Sequence, residues 1–105
     1  MTLEQLSAIL LETKFPVAFQ AFPKKDAPPM PYLCYEAPQA NNFYADGIVY
    51  HSSTHVSVLL YTDCRDLKAE NAVEQIFAAH QIPWTKDAVY DEREKCFEIL
   101  YEIEV

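Results

Sequence analysis

The sequence has little glycine, little basic charge and no long apolar run. Its single glycine excludes a glycine-rich phosphate-binding loop. Basic residues number 8 against 16 acidic ones, and the formal net charge of −8 repels nucleic-acid phosphates and anionic lipids. Every apolar run is far shorter than the roughly 20 residues of a membrane span. We therefore expect no specific nucleic-acid binding and no membrane partner.

Cysteine is also scarce, and its pattern indicates free thiols. The odd number of cysteines, Cys34, Cys64 and Cys96, is typical of a reducing compartment. We interpret most of them as small buried apolar side chains. Residues 1–5 show no basic segment followed by an apolar one, so we expect no secretory signal and a cytosolic protein.

What the sequence does contain is enough apolar material for one folded domain. Half of the 105 residues are apolar and 13% are aromatic, which excludes a disordered chain. A chain of this length is typical of a single domain, here residues 1–105.

Two segments have the periodicity of amphipathic helices. Residues 2–13 begin with Thr2, and Gln5 three positions later completes a capping-box pattern. Asp66 is the predicted N-cap of a second helix that runs to about His80. The apolar faces comprise Leu3, Leu6, Ile9 and Leu10 in the first helix, and Ala69, Val73, Ile76 and Phe77 in the second.

The remaining apolar segments alternate as strands do, and Asp46-Gly47 is a strong turn signal between two of them. The predicted strands include residues 17–22, 32–37, 55–61, 84–90 and 95–105, and the turn lies between Phe43-Tyr44 and Ile48-Val49-Tyr50. Apolar residues on both faces of 55–61 predict a central strand covered on both sides. We predict an α+β fold: a mostly antiparallel sheet of about five to six strands, two helices packed on one face, and the order α-β-β-β-β-α-β-β.

Candidate metal and catalytic residues have simpler interpretations. His51 and His55 are four apart in a predicted strand, about 13 Å from each other, which is too far to hold one ion. The acids Asp63, Asp66, Glu70 and Glu74 suit the N-terminus of a helix, where its dipole favours them. Glu98, Glu102 and Glu104 form the solvated face of the last strand. We therefore expect no enzymatic activity, no cofactor and no metal, and a small hydrolase using Cys or His remains an alternative.

Two segments instead suggest a protein interface. The proline-rich loop 23–31 and the turn region 41–53 lack core periodicity but carry apolar and aromatic side chains, which supply contact area at low entropy cost. An ordinary position at the edge of the core is the alternative for these side chains. The candidate interface residues are Met30, Phe43, Tyr44, Asp46 and Tyr50.

Several short motifs resemble those of the small tail-completion, or tail-terminator, proteins of long-tailed bacteriophages and prophages, a family of minor structural proteins. The matching segments run nearly end to end and comprise FPVAF at 15–19, PYLCY at 31–35, NFYADGIVY at 42–50, LLYTD at 59–63 and IPW at 82–84. Gly47 stands where the family pattern commonly has Asn, and both residues tolerate left-handed backbone angles.

The resemblance implies a structural role without active site or cofactor. It implies a ring, of six copies, that caps the tail tube and helps join the tail to the head. Its partners would be itself, the tail-tube protein and the head–tail connector proteins, and its place the virion tail, or the host cytoplasm during assembly. A generic cytosolic protein–protein interaction module of unrelated lineage is the alternative function.

Overall fold

A computed structural model describes residues 2–22, 28–37, 40–45 and 48–104, and covers only the backbone of 40–45 and 48–54. This part of the chain holds two helices and six strands in the order α-β-β-β-β-α-β-β, which confirms the predicted order. The elements are α1 Leu3–Leu11, β1 Val17–Phe19, β2 Tyr32–Glu36, β3 Ala40–Ala45, β4 Ile48–Thr62, α2 Leu67–Ala79, β5 Thr85–Asp91 and β6 Cys96–Glu104.

Both helices begin with the caps predicted from the sequence. The Thr2 hydroxyl accepts a hydrogen bond from the Gln5 amide at 3.1 Å, and the Gln5 side chain accepts one from the Thr2 amide at 2.9 Å. At α2, one carboxylate oxygen of Asp66 accepts from the amides of Lys68 and Ala69, each at 3.1 Å. These bonds satisfy first-turn amides that have no partner within the helix.

The Asp66 cap gives a direct test of where α2 begins. We expect Asp66→Ala to lower the free energy of unfolding by about 1 kcal/mol, because two amides lose their acceptor and the helix dipole loses a nearby anion. Urea denaturation of the variant and the wild type measures the difference. Asp63→Ala, an exposed acid outside the cap, is the control with little expected effect. An unchanged midpoint for Asp66→Ala would contradict the capping role.

The sheet is mostly antiparallel, as predicted. Its main strand order is β1-β2-β4-β6-β5, and β3 pairs with β4 outside this path. The β1–β2 pair is parallel, whereas the β2–β4, β3–β4, β4–β6 and β5–β6 pairs are antiparallel.

The largest difference from the sequence prediction is the length of β4. Residues 55–61 were expected to be a strand of their own, but they belong to a strand of 15 residues, Ile48–Thr62. No glycine or proline occurs within this segment, so nothing in it interrupts extended backbone. The strands beside the predicted turn do pair, with Ala45 opposite Ile48. Asp46 and Gly47 themselves lie outside the described residues.

The core lies between the two helices and one face of the sheet. Alternation in β6 is confirmed, since Ile99, Tyr101 and Ile103 are buried and Phe97 packs against them. Their partners in β4 are Leu60, Val58 and Val56, all fully buried. The buried helix residues that join this cluster are Leu6, Ile9 and Leu10 of α1 and Ala69, Val73 and Phe77 of α2.

The opposite face of the sheet differs from the expectation of cover on both sides. No helix of the described residues packs on it. Cys34 is buried there, but Leu59 and Tyr61 remain half-buried. The ring of Phe22 meets Tyr32 edge-on at a centroid distance of 5.2 Å, so Phe22 covers one part of this face. Ser57 and Cys96 are also buried on this face, so among the described residues its open part is the end of β6 that carries Glu102 and Glu104.

Candidate functional site

A two-stranded arm is the most distinctive feature of the molecule. It consists of β3 and the first half of β4, Ile48 to Thr54, which pair from Ala40↔Thr54 to Ala45↔Ile48. The register shifts once, between Asn42 and Tyr44. Within the described residues this part of β4 has only β3 as a neighbour, whereas the second half of β4 lies between β2 and β6. The arm therefore continues the central strand of the sheet beyond the core.

The arm carries most of the candidate interface residues. Phe43 and Tyr44 lie on β3, and Tyr50 lies on β4. The structure does not describe their side chains, and Asp46 lies outside the described residues altogether. Met30 is half-buried in the loop before β2. The segment 41–53, expected to be a turn region, is therefore mainly paired strand.

Strand β5 is the second exposed element, and sequence reasoning did not assign it a role. It forms one edge of the sheet, and its first six residues are exposed. In the described part of the chain, six large apolar side chains are classed as exposed, and three of them belong to β5 or directly precede it: Trp84 at 36%, Val89 at 53% and Tyr90 at 48%. The outer edge of β5 has no strand partner among the described residues, and it is rich in apolar surface.

The aromatic side chains at β5 are held in place by β6. Trp84 meets Tyr101 edge-on with ring centroids 5.5 Å apart, and Tyr90 contacts Phe97 at 5.0 Å. Each ring packs on one side and remains accessible on the other. Such fixed aromatic surface loses little conformational entropy when it binds a partner.

A cavity of about 500 Å³ lies where the arm leaves the sheet. Its lining comprises His55, Pro83, Trp84, Thr85, Glu102, Ile103 and Glu104. The His55 imidazole lies 3.9 Å from the Glu102 carboxylate, and both side chains are partly exposed. The cavity combines an aromatic wall with two carboxylates, a composition that suits apolar or cationic side chains of a partner.

The open sheet face beside this cavity is acidic. Glu98, Glu102 and Glu104 point to this face from β6; Glu102 and Glu104 are exposed, as predicted for a solvated row, and Glu98 is half-buried. Burial raises the pKa of the Glu98 carboxyl, and the nearby Asp91 and Glu94 raise it further. Negative charge is therefore crowded at the β5–β6 side of the sheet.

A buried ion-pair network lies under α2, on the helix-covered side of the sheet. The Glu70 side chain is only 2% exposed, and its two oxygens lie 2.7 Å from the Arg65 Nε and 2.8 Å from the Lys86 Nζ. Lys86 also contacts Glu74 at 2.9 Å, and the Tyr101 hydroxyl donates to the same Glu74 carboxylate at 2.8 Å. This network connects α2 to β5 and β6.

The network changes the interpretation of the acidic group at the start of α2. Asp66 is a cap as predicted, but Glu70 and Glu74 are ion-pair partners rather than exposed acids that only face the helix dipole. Burial alone would raise the pKa of Glu70, but hydrogen bonds from Arg65 and Lys86 outweigh it and lower the pKa. Hydrogen bonds to Glu70 and Glu74 raise the pKa of Lys86. All these charges are paired, which is typical of a structural network.

Two of the cysteines have the buried role expected from the sequence. Cys34 and Cys96 are buried free thiols, whereas Cys64 is exposed. Burial raises the pKa of both buried thiols. They therefore stay protonated at neutral pH, and a protonated thiol is a poor nucleophile.

Two further properties concern only the residues that the structure describes. No three of their His, Cys, Asp or Glu side chains are grouped as metal ligands would be. His51, one of the two histidines considered as ligands, has an undescribed side chain. Neither α1 nor α2 has the length and apolar content needed to cross a bilayer.

Comparison of the sequence with protein-family models and with curated proteins found no match. The candidate site is therefore defined by its own geometry: the arm, the β5 edge and the acidic cavity between them.

Proposed function

We propose that this chain is a non-enzymatic structural protein of a long-tailed bacteriophage or prophage that caps the tail tube as a ring and helps join the tail to the head. The motifs that resemble tail-terminator proteins suggest this role. The order of helices and strands fits a small α+β subunit with open edges for neighbours.

The arm is the observation that carries the proposal. Within the described residues the two strands of this ribbon pair only with each other, and strand edges without a partner favour contact with another chain. Phe43, Tyr44 and Tyr50 lie in this ribbon, and aromatic residues are enriched at protein interfaces. A projecting element with this composition suits docking between subunits, or between a subunit and the tail tube.

Tail completion in vitro tests the proposal. Phage tails assembled without this protein should fail to join heads, and purified wild-type protein should restore joining in proportion to the amount added. Electron microscopy of the restored tails should show a ring of six copies at the head-proximal end. Normal joining without the protein would overturn the proposal and favour the alternative, a cytosolic interaction module with other partners.

The same proposal predicts that free protein is mainly monomeric. A terminator that closed rings before tails existed would block assembly, so the subunit interface should be weak without a tail as template. Sedimentation velocity at micromolar concentration measures this. A stable hexamer there would contradict the monomer prediction and leave the terminator role in place.

A further inference from the structure

Two long strand edges remain open in the described part of the chain, and they lie at different places on the molecule. One is β5, seven residues from Thr85 to Asp91, which pairs only with β6. The other is β3, six residues from Ala40 to Ala45, which pairs only with β4. Both edges have a length of about 20 Å, so one could pair with the other along its whole length.

The β3 edge lacks the features that usually keep an open edge unpaired. Native proteins protect such edges with charged residues or proline. The six residues of β3, ANNFYA, contain neither. An unprotected edge of this length is expected to be covered in the working assembly.

Matching strand length and low charge together favour the arm of a second copy as the occupant of the β5 edge. Asp87 and Asp91 make that edge acidic, and Lys86 does not offset them because its ammonium group pairs with Glu70 and Glu74. Most of this acidic chain would be repelled there. The arm carries little charge, since residues 40–54 contain one acid and no lysine or arginine, and within the described residues it also supplies a six-residue strand edge without a partner.

We propose that the β3 edge of one copy pairs with the β5 edge of the next copy, so that one continuous β-sheet runs through neighbouring subunits. This contact rests on the proposed ring and would join its neighbouring subunits. Main-chain hydrogen bonds between the strands supply affinity, as in other cases of strand addition. Trp84, Val89 and Tyr90 supply the apolar contact area beside them.

The two edges are different surfaces, which determines the type of assembly. A contact between unlike patches is heterologous, and repetition of it gives a closed ring or an open filament rather than a symmetric dimer. Each copy offers one donor edge and one acceptor edge. The contact is therefore compatible with a ring of any number of copies whose rotation closes.

Disulfide trapping tests the proposed contact with the full chain. In a Cys64→Ser background, which removes the exposed native thiol, Asn42→Cys is combined with either Ala88→Cys or Val89→Cys. Successive side chains of a strand alternate between faces, so one of the two pairs should meet on the same face. Opposed Cβ atoms in paired strands are about 4.5–5.5 Å apart, close enough for a disulfide after small adjustments.

The expected result after mild oxidation is a ladder of trimers and larger species on non-reducing gels, which collapses on reduction. Its yield should be about tenfold above that of the control pair Asn42→Cys with Gln75→Cys, because Gln75 lies exposed on α2, away from either edge. Single-cysteine variants can give only dimers. The proposed contact would be overturned if both cysteine pairs gave only dimers, or if both gave a ladder no stronger than that of the control pair.

Failure of this contact and failure of the proposed function have different signatures. If the wild-type protein completes tails but neither cysteine pair forms a ladder, the terminator role stands and another contact must close the ring. If a ladder forms but the wild-type protein does not support tail completion, the strand contact stands and the phage role is overturned. Hydrogen exchange adds a second measurement: residues 40–45 and 85–91 should gain protection on assembly, and unchanged exchange in both would also overturn the contact.

Discussion

Tyr44→Ala is expected to abolish tail completion and leave the chain folded. Tyr44 lies on β3, which pairs with the first half of β4 and, within the described residues, with no strand of the main sheet path. Truncation of an aromatic anchor at an interface typically costs 2 kcal/mol or more, which is roughly a 30-fold loss of affinity. Where one weak contact is repeated around a ring, losses of this size add up over the ring.

Tail completion, scored as joined particles, and the thermal melting curve together test Tyr44→Ala. Met30→Ala should behave in the same way if the proline-rich loop belongs to the same interface. Tyr44→Phe is the matched control. It keeps the aromatic side chain, so it should retain most of the tail-completion activity. A Tyr44→Ala variant that unfolds, or one that still completes tails normally, would return Tyr44 to the edge of the core.

Glu70→Ala is expected to lower the free energy of unfolding by about 1.5–3 kcal/mol, because it removes the charge-assisted hydrogen bonds to Arg65 and Lys86. Its carboxylate is almost fully buried between Arg65 and Lys86. Its removal leaves Arg65 without its partner, and Lys86 then keeps only its contact with Glu74 at 2.9 Å. This is a substantial fraction of the stability of a small domain, which is about 5–15 kcal/mol in total.

Urea denaturation measures the loss, and two neighbouring variants provide its controls. Arg65→Ala should cost less, because that side chain is 45% exposed and water replaces the lost contact. Glu74→Gln should also cost less, since its carboxylate is partly exposed and the amide still accepts from Tyr101. A loss below about 1 kcal/mol for Glu70→Ala would place the network in the class of weak surface ion pairs.

The same network makes stability depend on pH in a defined direction. The pKa of Glu70 is lower in the folded chain than its ordinary value of 4.5. The ionised carboxylate therefore adds stability above pH 4.5, and this contribution disappears as the pH falls through the lowered pKa. Glu98 has a raised pKa and contributes with the opposite sign, because its protonated form is favoured in the folded chain. Glu70→Gln lacks this titrating carboxyl, so the free energy of unfolding of the variant should fall less steeply below pH 4.5 than that of the wild type.

Local sequence patterns were enough to predict most of the fold. Thr2 with Gln5, and Asp66, marked both helix starts because a cap is a contact between residues two or three positions apart. Alternation in residues 96–104 identified the buried face of β6, since each side chain of a strand points away from its neighbours. These features depend on short-range geometry, which the sequence contains directly.

Features that depend on long-range pairing could not be predicted in the same way. The lysine at position 86 looks like an ordinary exposed residue of a strand until α2 places Glu70 and Glu74 above it. The open edge of β5 follows from the strand order, which no local pattern specifies. For the candidate interface, the sequence located the segment 41–53 but not its form, because a turn signal does not tell how far the flanking strands extend.

The shared strand β4 has a mechanical consequence for any load that acts on the arm. Eight residues of β4, His55 to Thr62, pair with β6, and five of them also face β2. Hydrogen bonds in antiparallel pairs stand perpendicular to the strands, so a pull along β4 stretches them all together in shear instead of opening them one by one. Tension that reaches the arm is thus spread over the centre of the sheet.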